Sequence, residues 1–266
     1  MKAVPMCVVR IWPRNIHLKE KEVIMAKVMM NVKLLEMSQN AISLIYVACR
    51  QCYSDKFAGD IFSDANVDLK KQEEFVKKIV ASGHQSPLEH VKFTFAIEGV
   101  SRALTHQLVR HRLASYSQQS MRYVKEESFD YIIPPSIEKN SQAKNEFEKL
   151  MVTIQQSYTK LLALLGQDNI SGEAANQDAR FALPQAAETK IVVTMNCREL
   201  LHFFGHRCCS RAQWEIRQLA DKMLGICREN LPAVFTDAGA KCEAVGYCPE
   251  GEKFCCGKYP LKVQSG

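Results

Sequence analysis

The segment VKFTFAIE, residues 91–98, alternates strictly: Val91, Phe93, Phe95 and Ile97 fall on one side, Lys92, Thr94, Ala96 and Glu98 on the other. Successive side chains of an extended chain project to opposite faces, so this pattern predicts a strand with one face in a core. TKIVVTMN (Thr189–Asn196) reads as a second strand and VKLLEM (Val32–Met37) as a third. Helical spacing of apolar residues appears over Gln39–Cys49 and Lys70–Ser82. It is strongest over Ser141–Leu165, where Phe147, Leu150, Met151, Ile154, Tyr158, Leu161 and Leu165 form one stripe that Gly166 ends. Ser210–Arg228 repeats Trp214, Leu219, Met223 and Cys227, and its chain leaves at Pro232. Strands and helices without regular β-α-β alternation predict an α+β fold, a mostly antiparallel sheet packed with long helices. With no internal repeat, low-complexity linker or break in composition, one domain is expected.

A chain of 266 residues, 47% hydrophobic and 24% charged, can bury a core that needs no staple. Its formal charge of +6 is too mild to imply a nucleic-acid binder by itself, but suits small polyanionic ligands. Eleven cysteines invite a disulfide reading. No signal-peptide pattern precedes them, however, and Cys7, Cys49, Cys197 and Cys227 sit singly, which fits reduced, mostly buried thiols in a cytoplasmic protein. CRQC (Cys49–Cys52) lacks the strand–helix setting of a redox motif and reads as two core or semi-buried cysteines. The tail CEAVGYCPEGEKFCC gathers Cys242, Cys248, Cys255 and Cys256. Its spacings fit no common zinc finger, so a structural tail with an incidental disulfide is expected ahead of a metal site. No apolar run approaches the roughly 20 residues of a membrane span. Residues 1–26, with Pro5, Pro13 and a charged LKEKE, resemble neither signal nor anchor and are expected to be a loose extension.

Glycine-rich phosphate loops and the metalloprotease H-E-x-x-H pattern are absent, so a bound nucleotide must be held by side chains. RHRLASYSQQSMRY, residues 110–123, offers the means. VSRALTHQLVRHRLA before and into it reads as a helix with Leu104, Leu108 and Val109 toward the core. On that helix Gln107 and Arg110 share a face, as do His106 and Arg110. After Ala114 a polar loop is expected, carrying Ser115, Ser117, Gln118, Gln119, Ser120 and Arg122. Arginine's planar fork grips phosphate, and amides and hydroxyls read the edges of a base. A merely solvated basic face would mix in acids, and none follows until Glu126. Further arginines stand in NCREL (Arg198), before FALP (Arg180) and in GHRCCSRAQW (Arg207 and Arg211). His84 and His90 of GHQSPLEH lack a nearby third ligand, so ligand contact or packing is preferred over metal.

Arg110-His111-Arg112, Ser115, Ser120 and Arg122 resemble the signature R-H-R-x-x-S-x-N-x-x-S-x-R of the flavin-dependent thymidylate synthases. GHQSPLEHVKFTF, ARFALP and NCREL…HRCCSRAQWEI are similar to further ordered blocks of that family, together covering roughly residues 32–232. Ser117 stands where the signature has asparagine, so no role is carried to it. The resemblance implies a catalytic domain over 27–236 and a cysteine-containing tail over 237–266. It implies a cytoplasmic homotetramer with shared active sites that binds FAD and converts dUMP to dTMP, with methylenetetrahydrofolate as carbon donor and NADPH as reductant. Neither metal, nucleic acid nor membrane enters that chemistry.

Carried over residue by residue, Ser86, Arg110, His111, Arg112, Gln118, Asn196, Arg198 and His202 are expected at the flavin, with His202 where the family often has asparagine. Gln107, Arg110, Gln118, Gln119, Ser120, Met121, Arg122, Arg180 and Arg207 are expected around dUMP, Arg180 reaching in from a neighbouring subunit. His84 is expected against the flavin and folate rings. Arg207 is the expected catalytic residue, its guanidinium stabilising negative charge that develops on the pyrimidine. Cys208 and Cys209 follow it directly but read as packing residues, and Ser120, with no evident base, as a ligand contact rather than a nucleophile. Two readings of other classes compete: a nucleic-acid binder tracking a phosphate backbone, and an interaction module built on a zinc-bound tail.

Overall fold

The computed structural model describes residues 26–64, 68–126 and 128–262. Most of the expected N-terminal extension lies outside them. The centre of the fold is a four-stranded antiparallel sheet of β1 (Asn31–Met37), β2 (Lys92–Ser101), β3 (Ala114–Gln118) and β4 (Glu188–Asn196), in the order β1-β2-β4-β3. Phe93, Phe95 and Ile97 of β2 and Ile191, Val193 and Met195 of β4 are buried on one face, as the alternation requires. The opposite face is polar, and there Thr94 and Thr194 meet at 3.0 Å across paired strands. The fold is thus α+β in a single domain.

Helices α1 (Ala41–Gln51), α2 (Ala58–Ser63) and α3 (Leu69–Ala81) follow β1, and a short 3-10 turn over Ser86–His90 leads into β2. Next come α4 (Arg102–Leu108), then α5 (Pro135–Glu138), α6 (Ser141–Gln167) and α7 (Gly172–Ala179) between β3 and β4. After β4 run α8 (Cys197–Arg207), α9 (Trp214–Asn230), α10 (Pro232–Phe235) and α11 (Lys241–Val245). Ile45, Leu200, Phe203, Phe204, Leu219, Met223 and Phe235 from these helices close over the sheet's apolar face. Gly99 lies at an irregularity of β2 with φ +66, and a Cβ there would stand 2.1 Å from the Met29 carbonyl oxygen, so only glycine fits.

Several expectations need correction. The segment after Ala114 is a strand, not a loop: Ala114 and Tyr116 pack on the core while Ser115 and Ser117 face outward, and β3 satisfies its backbone along the edge of β4. The preceding helix is only α4, because Val100 and Ser101 still belong to β2 and the chain turns after Leu108; Val109 is exposed. The stripe of α6 is only partly interior. Met151 and Tyr158 are buried, but Leu150 and Leu161 are exposed, and the helix continues through Gly166 to Gln167. α9 starts at Trp214 rather than Ser210, because the Gln213 side chain accepts from the Glu215 and Ile216 amides and caps it there. Cys52 is exposed, although Cys49, Cys197 and Cys227 are buried as expected. Cys7 lies outside the described residues. Every described cysteine is free, so the tail holds no disulfide among them.

Candidate active site

Two cavities flank the turn that joins α4 to β3. The larger, about 810 Å3, is lined by Arg110, Arg112, Arg198, Arg207 and Arg211 together with His111, Glu199, His202, His206 and Glu250. Five guanidinium groups therefore face two carboxylates. Arg198 pairs with Glu89 and Arg211 with Glu250. Among the described residues Arg110 meets only the His106 ring, at 3.3 Å, and Arg207 has no carboxylate partner. Such unneutralised forks, beside a cavity of this size, are suited to oxygen-rich anions.

The geometry around Arg207 fixes a tautomer. Its Nε donates to His111 Nε2 at 3.1 Å, so that nitrogen carries a lone pair and Nδ1 carries the ring proton. Nδ1 in turn donates to Glu199 Oε1 at 3.2 Å. His111 and Glu199 are both buried, and the imidazole edge meets the Phe203 ring at 4.9 Å. Burial, then the neighbouring charge of Arg207, pushes the His111 pKa down to about 4, so the ring is neutral near pH 7. Burial pushes the Glu199 carboxyl up from its ordinary range. His111, Glu199 and His202 also place ligating atoms within 4.8 Å of one another. Both His111 nitrogens are already committed, however, and the Arg207 charge beside them opposes a cation.

Local structure holds this arrangement. Asn196, at the end of β4, caps α8 by accepting from the Glu199 amide at 2.8 Å, which fixes the first turn carrying Arg198 and Glu199. The Tyr116 hydroxyl reaches the carbonyl oxygens of Leu108 at 2.9 Å and His111 at 2.7 Å, clasping the turn that displays Arg110 and Arg112. Burial pushes the Tyr116 phenol up, so it keeps its proton. Cys208, next to Arg207, is likewise pushed up, by burial and by Asp221, and stays a thiol rather than a nucleophile.

The smaller cavity, about 280 Å3, is lined by Arg102, Thr105, Gln118, Gln119, Met121, Glu126, Arg180 and Thr189, among others. Arg180 is buried, pairs with Glu126 at 3.1 Å and donates to the Val124 carbonyl. Its Nε finds no partner among the described residues. Gln118 is held by Thr105 Oγ1 at 3.0 Å and Thr189 Oγ1 at 3.2 Å, which orients its amide.

The family model described as thymidylate synthase complementing protein matches residues 33–233. The flavin-dependent thymidylate synthase of Nitratidesulfovibrio vulgaris is 58% identical over 234 residues, 87% of this chain and 96% of that protein. The chain belongs to the flavin-dependent thymidylate synthases. The proteins of that name from Clostridium tetani and Geobacter sulfurreducens are 47% and 45% identical, over 84% and 85% of this chain and 92% and 94% of their own.

Of the residues expected from the family resemblance, Arg110, His111, Arg112, Arg198, His202 and Arg207 line the larger cavity, and Gln118, Gln119, Met121 and Arg180 the smaller. The others line neither. Asn196 acts as a helix cap, and Ser120 accepts from the Arg122 and Tyr123 amides. Arg122 is exposed and pairs with Glu173 at 3.1 Å. Ser86 opens the 3-10 turn beside Gln85, which does line the larger cavity, while His84 is exposed just before that turn. Gln107 lies on α4. Sequence reasoning missed Glu199, although an acid two residues after a buried cysteine in NCREL was visible. It also missed Arg102 and Glu126 in the smaller cavity and His206 in the larger.

Proposed function

We propose that this chain reductively methylates dUMP to dTMP, with methylenetetrahydrofolate as carbon donor and FAD, reduced by NADPH, as hydride source. The observation that carries this reading is the Glu199–His111–Arg207 chain in a cavity where Arg110 and Arg112 also have no carboxylate partner among the described residues. FAD fits the larger cavity: Arg110 and Arg112, from a clasped turn, would take the pyrophosphate, and Arg198 and His202 would flank it. Bound there, FAD supplies the hydride that the reaction consumes. Arg207, held through Nε by a neutral imidazole, keeps its terminal amino groups to stabilise charge developing on the pyrimidine. Gln118, Gln119, Met121 and Arg180 would hold dUMP, with Ser120 and Arg122 on the adjoining turn.

Within one chain the Arg207 and Arg180 cavities are separate, which supports an active site completed between subunits of a homotetramer. Phe181 is 91% exposed beside Arg180, a large ring that a partner would cover. A catalytic unit over 27–236 and a cytoplasmic location fit the same reading; among the described residues no helix is long and apolar enough to cross a membrane.

Purified protein is expected to show the visible absorption of bound flavin and dUMP-dependent oxidation of NADPH. A colourless protein that binds no added FAD would overturn the reading.

Glu199 is assigned a positioning role, through His111, on Arg207. Glu199→Ala frees the ring and is expected to lower kcat by about 10- to 100-fold with a smaller change in KM for dUMP, whereas Glu199→Gln keeps an acceptor oxygen and most of the rate. In the native chain the His111 ring is expected to titrate near pH 4, not 6.5, as an Nδ1–H tautomer by NMR. Between these values the unfolded chain takes up a proton here and the native chain does not, so acid in that window removes stability at this residue. Unchanged kcat in Glu199→Ala, or titration near 6.5, would refute the role.

A further inference from the structure

A second set of side chains converges beside the larger cavity, with which it shares Gly205, Cys209 and Glu250. The turn after α8 brings Cys209, α11 brings Cys242, and the coil beyond brings Cys248 and Cys256; together they line one small cavity of about 20 Å3. That space suits a single ion. Cys242 and Cys248 are buried, and all four are free.

Backbone and hydroxyl donors point at two of these sulfurs. Cys248-Pro249-Glu250 and Cys256-Gly257-Lys258 are matching short turns, in each of which the backbone amide two residues on donates to the sulfur. Gly257 makes the second turn possible with φ +81. The Ser210 hydroxyl adds another donor to Cys256. Donors aimed at sulfur orient it, as outer partners do in thiolate metal sites. Lys241 lines the same cavity, and Lys258 stands close by on Glu243 at 2.5 Å. Cys255 does not line it. Its backbone is extended, so its side chain diverges from that of Cys256 and bonds instead to the Tyr259 carbonyl at 3.5 Å, beside Cys248. Two adjacent cysteines therefore need not share one ion.

We propose that Cys209, Cys242, Cys248 and Cys256 bind one zinc ion as four thiolates, a structural site that ties the C-terminal tail to the end of α8. Among the described residues only His111, Glu199 and His202 bring three ligating atoms within 4.8 Å, so the four sulfurs must swing inward onto the ion. Tetrahedral bonds of about 2.3 Å set sulfur separations of roughly 3.8 Å, which side-chain rotation around so small a cavity supplies. Each thiol that ligates releases its proton to solvent, and Lys241, on the cavity wall, offsets part of the negative charge of the closed site. Four sulfur ligands with no open position select zinc for a structural role.

Full-length protein purified under reducing conditions without chelator is expected to hold about one zinc per chain by elemental analysis. Cys209→Ser and Cys248→Ser should lose it, and Cys52→Ser and Cys255→Ser retain it. Should a ligand variant fail to fold, cobalt(II) added to reduced, zinc-stripped wild-type protein reads the same site through the intense bands of tetrahedral cobalt thiolate, taken as a difference spectrum. Zinc-free protein that also gives no such bands overturns the proposal. So do iron in place of zinc, a Cys248–Cys255 disulfide in anaerobically prepared protein, or full zinc content in Cys256→Ser. None of these readouts depends on turnover, so the site can fail while the proposed reaction stands.

Discussion

Arg207→Ala is expected to lower kcat by about 10^2- to 10^3-fold while the protein remains yellow. Among the described residues Arg207 makes one bond, through Nε to a neutral ring, and no carboxylate competes for its charge. Truncation therefore removes the guanidinium assigned to the reaction without leaving an orphaned acid. His111 loses a donor but keeps Glu199. The flavin contacts assigned to Arg110 and Arg112 arise from a different turn and should persist. Arg207→Lys keeps the charge but not the fork, and is expected to recover little of the rate. Steady-state kinetics alongside the flavin spectrum separates the outcomes: a near-normal kcat with raised KM for dUMP would make Arg207 an ordinary binding residue.

The second large effect concerns stability. Glu215, in the first turn of α9, is 2% exposed and accepts from the Ser101 amide at 2.7 Å and the Ser101 hydroxyl at 2.5 Å. Ser101 Oγ in turn caps α4 by accepting from the Leu104 amide at 3.0 Å. The carboxyl thus joins three elements: the end of β2, the start of α4 and the start of α9. Glu215→Ala strands the Ser101 amide in a dry interior and leaves a void, costing about 3 kcal/mol. For a chain of this size that lowers Tm by roughly 6–12 °C. Glu215→Gln retains an acceptor for the amide and should lose less than half as much. A shift of under 2 °C in Glu215→Ala by calorimetry, on the order of measurement scatter, would mean that water reaches the site.

The strands with one clean apolar face, β2 and β4, were legible from alternation alone, because a packed sheet face imposes its period on the sequence. β3 was not. Its outward Ser115 and Ser117 and its single large ring, Tyr116, look like a loop until the edge of β4 is present to pair with it. The arginines of the larger cavity could be picked out one by one, and the family blocks carry them. Glu199, which sets the tautomer of His111, lies 88 residues away in the chain, and only folding makes it a neighbour. The division into two cavities had no sequence signature, since His111, just before β3, and Gln118, at its far end, sit on one short segment yet line different cavities. The grouping of Cys242, Cys248 and Cys256 with Cys209 had no signature in the tail's spacing, because Cys209 lies outside the tail altogether.

Tyr116 carries a thermodynamic consequence. With one phenol bridging the Leu108 and His111 carbonyls, the backbone beneath Arg110 and Arg112 is already ordered before any ligand arrives. Association at this turn then forfeits side-chain freedom but little main-chain freedom, so affinity for a diphosphate can come from few contacts.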